Sequence, residues 1–342
     1  MNRKIKIIPA CAAALVILSA IKVGADTEGL INPEMFMTPV PTMTPTLTFT
    51  PIPTMIPVST ATQIPTTTPV PTVTQIPTTT QVPTVTPAPI ADPVQTPAQV
   101  VDLVLFTGQS NMSGGGGNAK SAPVVASGTG YEFRYGACPA GLYPVTEPFG
   151  MYSSGALTDP PGVRGGSLVS AFMNSYYKSC KVPVMGFSAS RGGTSIGYWQ
   201  SFDIQNELAS KYDRIRSWCA ANGVTIRRSY AVWLQGETDA IGHMDRTTYE
   251  TGLRNVFSRL FAKGLERVYV IPIGRYAGLP GSYDEVRAAQ LDLCATDPRF
   301  VLGSDALATL PDSYLADGCH YNQAALNTVG AQAGALAGQM SR

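Results

Sequence analysis

A serine hydroxyl attacks a carbonyl only when a base takes its proton and a third group holds that base in place. Residues 107–113 read TGQSNMS, and Ser110 lies just beyond the apolar run 101–106, where a buried strand would emerge into solvent. The chain offers only two histidines as base, His243 and His320. In Asp317-Gly318-Cys319-His320 a carboxylate precedes the imidazole by one turn of chain. That spacing brings the carboxylate to Nδ1 and leaves Nε2 to face a serine, the arrangement required for acyl transfer. His243, in Ala240-Ile241-Gly242-His243-Met244-Asp245-Arg246, has Asp239 and Asp245 nearby but no strand end to fix it, and reads as an ordinary surface or core histidine. A rival serine, Ser188 in Gly186-Phe187-Ser188-Ala189-Ser190, resembles a nucleophile elbow but closes on serine instead of glycine. It also lies inside an apolar run, where it should be buried.

Acyl transfer further needs donors aimed at the oxygen that becomes negative, each worth about 3 kcal/mol of barrier. Gly192 and Gly193 can bring a main-chain N–H close to a substrate, and Gln235 can offer its side-chain NH₂. Gly192-Gly193 serves equally as a tight strand-to-helix turn. The run 114–117, four glycines, reads as a flexible turn, since no Lys-Ser/Thr follows to make a phosphate cradle.

The elements that must position these residues are legible as alternating strand-length and helix-length patterns, the signature of an α/β fold with a mostly parallel sheet. Strands are expected over 102–107, 183–188, 229–235, 267–273 and 299–302, and helices over 167–179, 205–221, 246–263, 283–295 and 322–338. The segment 114–164, rich in Gly, Pro and Ser, reads as a long surface excursion that shapes a substrate site. Ligands of such sheets bind beyond the carboxyl ends of the strands. The loops carrying Ser110, Gly192 and Gly193, Gln235 and His320 should therefore gather at one edge.

Outside residues 101–342 the 342-residue chain does not read as globular. Residues 1–25 join a basic start (Arg3, Lys4, Lys6) to an apolar run over 7–21 and the small residues Gly24 and Ala25, the layout of a cleaved secretory signal. The apolar run is shorter than the ~20 residues of a membrane span, which makes an uncleaved anchor the weaker reading. Residues 26–100 form a Pro/Thr-rich linker with a tandem duplication, QIPTTTPVPTVT (63–74) then QIPTTTQVPTVT (75–86). Recurrent proline favours an extended spacer of roughly 3.1 Å per residue, with threonines suited to O-glycosylation. A secreted or surface-tethered protein follows, needing no membrane once the signal is removed. A formal net charge of +1 gives no basic stripe for nucleic acid. Beyond the signal remain Cys138, Cys180, Cys219, Cys294 and Cys319, whose spacings match no zinc pattern. One or two disulfides are expected in an exported chain.

Four blocks then carry a resemblance: Gly108-Gln109-Ser110-Asn111-Met112, Gly192-Gly193-Thr194-Ser195-Ile196 with Trp199, Trp233-Leu234-Gln235-Gly236-Glu237-Thr238-Asp239, and Asp317-Gly318-Cys319-His320. In this order they resemble the SGNH hydrolase superfamily, in the branch of sialate O-acetylesterases and carbohydrate esterase family 6 acetylxylan esterases. The resemblance spans nearly all of 101–342. It implies a three-layer α/β/α sandwich, a triad of Ser110, His320 and Asp317, and an oxyanion hole made by the Ser110 N–H, the N–H of Gly192 or Gly193, and the Gln235 side chain. Gln109, Asn111, Glu237 and Asp239 become supports of the site. No metal or organic cofactor is implied, and the partner is an acetylated oligo- or polysaccharide. A non-catalytic carbohydrate-binding or display protein on the same fold, or a lipase or thioesterase, are the competing readings. The latter predicts a wide apolar cleft, whereas Tyr131, Tyr135, Tyr143, Tyr152, Tyr198 and Trp199 are placed to stack on sugar faces.

Overall fold

The computed structural model describes Pro93 and residues 99–136 and 138–342. The expected signal segment and nearly all of the linker lie outside the described residues. Seven strands, β1 (Gln99–Gly108), β2 (Gly130–Arg134), β3 (Gly141–Pro144), β4 (Val184–Ser190), β5 (Val224–Leu234), β6 (Arg267–Val270) and β7 (Phe300–Leu302), form one sheet in the order β3-β2-β4-β1-β5-β6-β7. Every pairing is parallel except β2 with β3. The helices are α1 (Val169–Cys180), α2 (Ile196–Gln200), α3 (Phe202–Ala221), α4 (Glu237–Ile241), α5 (Arg246–Ala262), α6 (Asp284–Thr296) and α7 (Gln323–Gln339).

The alternation of β1 sorts the layers. Val101, Leu103 and Leu105 pack with α3, α5 and α6 residues such as Ile204, Leu253 and Leu293, while Val104 and Phe106 pack with α1 and α7 residues such as Phe172 and Val329. Two apolar faces on one sheet require two helical layers, hence the three-layer α/β/α sandwich. The chain winds in one direction from β1 through β4 and in the other from β1 through β5, so the topological switch falls at the end of β1, where Ser110 follows.

All five expected strands and all five expected helices are present, with ends shifted by a few residues. The surface excursion expected over 114–164 is corrected: it contains β2 and β3, which extend the sheet beyond β4. All five residues of β2 are buried, but Glu132 and Arg134 face each other as an ion pair at 2.8 Å, with side chains only 2% and 3% exposed. A buried charged pair removes the apolar alternation by which a strand is recognised.

The disulfide expectation is also corrected: Cys138, Cys180, Cys219 and Cys294 are all thiols. Cys219 lies in the core against the Met185 sulfur, and burial pushes its thiol up to about 12. Among the described residues, no helix is long and apolar enough to cross a membrane.

Candidate active site

As the chain leaves β1 it coils at once: the Gly115 N–H donates to the Ser110 carbonyl at 2.8 Å and the Ser113 N–H to the Gln109 carbonyl at 3.0 Å. Gly108, the last residue of β1, has φ +148°, and a Cβ there would stand 2.0 Å from the Leu234 carbonyl oxygen. Only glycine lets β1 end this close to β5. The run 114–117, expected to be a flexible turn, is instead a packed surface. A Cβ on Gly116 would lie 2.9 Å from the His320 Cβ, so the bare backbone makes room for the histidine loop.

On that surface His320 Nε2 stands 2.8 Å from Ser110 Oγ, and Nδ1 stands 2.7 Å from Asp317 Oδ2. The other carboxylate oxygen, Oδ1, accepts the N–H of Cys319 at 2.9 Å and of His320 at 2.8 Å, closing the segment into a tight turn. Burial alone would raise the Asp317 carboxyl, but these main-chain donors and the imidazole overcome it and hold the group down at about 2. The aspartate is therefore an anion under any working condition, suited to keep the proton on Nδ1 and the lone pair of Nε2 toward the serine.

Asn111 ties three loops together. Its Nδ2 donates to Glu237 Oε1 at 2.6 Å and to the Cys319 carbonyl at 3.1 Å, and its Oδ1 accepts the Tyr321 N–H at 2.9 Å. It thus grips the chain on both sides of His320. Glu237 is buried, and its Oε2 has no hydrogen-bond partner. Burial raises its carboxyl, opposed mainly by the Asn111 hydrogen bond.

Gln235 is corrected as an oxyanion donor. It is fully buried, and its Nε2 is committed to the Thr194 carbonyl at 2.9 Å and to Asp239 Oδ2 at 2.5 Å, with Gln109 Oε1 at 3.2 Å. Both amide hydrogens are engaged inside the protein, so none is left for a substrate oxygen. Asp239 in turn accepts the Ile196 N–H at 2.9 and 3.0 Å and holds the start of α2, and burial pushes its carboxyl up to about 6. Gln109 points its Oε1 at the same knot, accepting from Gly236 N at 3.3 Å.

Gly192 does approach the serine: a Cβ on it would be 3.3 Å from Ser110 Cβ. Its N–H, however, donates to the carboxylate of Asp159 at 3.0 and 2.9 Å. Gly193 has φ +69° and nothing within 4 Å of where its Cβ would be, so it borders open space. The N–H groups of Ser110 and Gly193 stay outside the network that engages Gly192 and Gln235.

Asp159 was not anticipated. It also accepts the Ser113 hydroxyl at 2.6 Å, and Arg164 donates from Nε to its carbonyl at 3.1 Å. Beside it runs a polar cleft of about 340 Å³ lined by Ser153, Ser154, Thr158, Asp159 and Arg191. Only the polarity of these residues was visible beforehand, since their pairing with the Gly192 loop depends on the path of the 150s.

Ser188 is buried, with the Arg164 guanidinium 3.3 Å from its hydroxyl, as its place in a strand requires. His243 lines a larger cavity of about 840 Å³ with Ile241, Met244, Leu279 and Val286, and Ser110 is not among its lining residues. The expectation of six stacking aromatics is corrected: Tyr131, Tyr143 and Trp199 are core residues. Tyr135, Tyr152 and Tyr198 remain partly accessible, Tyr152 lying over the Arg134 guanidinium at 4.0 Å.

Residues 100–339 match the family model described as carbohydrate esterase, sialic acid-specific acetylesterase. Among solved structures, a protein from Arabidopsis thaliana shares the fold at a TM-score of 0.54 and 19% identity, over 71% of this chain and 99% of that one. An acetyl xylan esterase from Geobacillus stearothermophilus aligns at a TM-score of 0.38 and 12% identity, over 69% of this chain and 93% of the other. A search of curated proteins finds no match.

Proposed function

Because the chain belongs to the carbohydrate esterase family of sialic acid-specific acetylesterases, we propose that it is a secreted serine esterase that removes O-acetyl groups from acetylated oligo- or polysaccharides of the xylan or sialic acid type. The observation that carries this reading is the hydrogen-bonded line Ser110 Oγ, His320 and Asp317, at 2.8 and 2.7 Å. His320 Nε2 takes the Ser110 proton as Oγ bonds to the acetyl carbonyl carbon. The carbonyl oxygen, now negative, accepts from the N–H groups of Ser110 and Gly193. Collapse breaks the ester bond, and the imidazolium returns its proton to the departing sugar oxygen. Water, deprotonated by the same nitrogen, then releases acetate and restores Ser110. Asp317 remains ionised throughout and stabilises the imidazolium.

The polar cleft beside Gly192 favours a carbohydrate leaving group, since hydroxyls, a carboxylate and a guanidinium match sugar hydroxyls better than an acyl chain. Export is supported by the signal-like residues 1–25 and the Pro/Thr-rich spacer after them.

The test incubates the purified chain and its Ser110→Ala variant with acetylated xylo-oligosaccharides, O-acetylated sialic acid and a long-chain aryl ester, measuring released acid. Acetate from a glycan, lost in the variant, is the expected result. Turnover of the long-chain ester alone would favour the lipase reading, and equal glycan binding by both proteins without acetate release would indicate a binding module.

A further inference from the structure

Asp159 moves no proton in the ester chemistry, yet its carboxylate is shared between the two loops that this chemistry needs. In the turn that carries Ser110, it accepts the Ser113 hydroxyl at 2.6 Å. In the loop after β4, the Gly192 N–H donates to both of its oxygens, at 3.0 and 2.9 Å. The backbone of Asp159 is itself fixed, its N–H donating to the Ser190 carbonyl at 2.9 Å and its carbonyl accepting Arg164 Nε at 3.1 Å. The same guanidinium holds the end of β4, donating from Nη2 to the Ser190 carbonyl at 3.2 Å. Asp159 is buried, so these protein donors, and not bulk water, answer its charge. Hydrogen bonds to an ionised acceptor are roughly twice as strong as neutral ones, so the carboxylate is a firm anchor for the Gly192 N–H. The chain beyond the anchor is soft by contrast: Gly192 has its Cβ position 3.3 Å from Ser110 Cβ, and Gly193 is left-handed at φ +69° and borders open space.

We propose that Asp159 is a positioning residue of the oxyanion hole: by tying Gly192 through its N–H and the nucleophile turn through Ser113, it sets the Gly193 N–H where the ester oxygen becomes negative. The role rests on the proposed esterase reading. Gly192 serves as the tether, which leaves Gly193 as the donor of this loop. Two consecutive glycines carry no side chain to fix their own peptide planes, so the outside carboxylate supplies what the loop lacks. The oxygen gains its charge only in the transition state, so a misaligned donor lowers kcat and leaves ground-state binding nearly untouched.

The full chain and its Asp159→Ala variant are assayed on one acetyl ester, with thermal melts run beside them. The expected result is a kcat lower by about 10²-fold at little changed KM, the size of a lost oxyanion donor. Formate should restore part of the loss, and chloride at the same ionic strength should not, because formate supplies a carboxylate to the vacated donors of Gly192 and Ser113. In the parent alone, which no substitution can unfold, amide spectra of nitrogen-labelled glycines are compared before and after reaction with a serine-directed phosphonate. The tetrahedral adduct should shift the Gly193 amide, while the Gly192 amide stays protected from exchange by its bond to Asp159. A variant as active as the parent, a loss confined to KM, a loss that formate cannot relieve, or an adduct that shifts Gly192 in place of Gly193 overturns the role. A parent chain that hydrolyses no ester sinks the esterase reading and this role with it, whereas an active parent beside an equally active variant sinks the role alone.

Discussion

Asn111 is the residue through which Glu237 reaches the imidazole. Its two contacts to the chain around His320, with the Cys319 carbonyl at 3.1 Å and the Tyr321 N–H at 2.9 Å, set the depth at which the ring faces Ser110. Misplacing a catalytic group by about 1 Å costs on the order of 10²-fold. Asn111→Ala should therefore lower kcat by roughly that factor with little change in KM, read on any acetyl ester that is turned over. Asp317→Asn should cost more, on the order of 10⁴-fold, because the amide donates to Nδ1 and imposes the wrong tautomer. The convergence of Ser110, His320 and Asp317 on one another was legible because an acyl-transfer site would demand those types and one turn of chain sets the Asp-to-His spacing. The Gln235 amide was misassigned because a side chain's donors are visible in a sequence while its buried acceptors are not. Asp239, four residues on in α4, and the Thr194 carbonyl take both of its hydrogens.

The elements read best where one face is apolar. β1, β4, β5 and the long helices were located to within a few residues, whereas β2 was missed because Glu132 and Arg134 interrupt it. Burial pushes the Glu132 carboxyl up, and Arg134 is the main group opposing that push. Breaking such a pair by removing one partner strands a buried charge, typically at about 3–5 kcal/mol. Arg134→Leu should thus destabilise the domain by an amount in that range in urea denaturation, while a double replacement by apolar residues of similar volume restores much of the loss. The same variant should keep the Ser110 to His320 geometry, because β2 lies on the far side of β4 from β1.

At the scale of the whole molecule, the site is built around buried acids that the fold must hold. Asp239, nearly inaccessible and lifted from 3.8 to about 6 by burial, binds its proton more tightly in the folded chain than in the unfolded one. Stability therefore falls as pH rises between about 4 and 6, by about 3 kcal/mol from this residue, and Asp239 adds no further slope above that window. Glu237 acts in the same direction. Asp317, held at about 2, acts oppositely and only in stronger acid. Thermal melts should accordingly show a higher Tm at pH 5 than at pH 7.5, with a smaller difference in Asp239→Asn. The central claim is that Ser110 is the nucleophile, and it is tested most directly by treating the full chain with a serine-directed phosphonate and mapping the adduct by mass spectrometry. The account predicts one adduct, on Ser110, formed as activity is lost and not formed in His320→Ala. Labelling of Ser188 or Ser113 in step with inactivation, or full inactivation with Ser110 unlabelled, would contradict it.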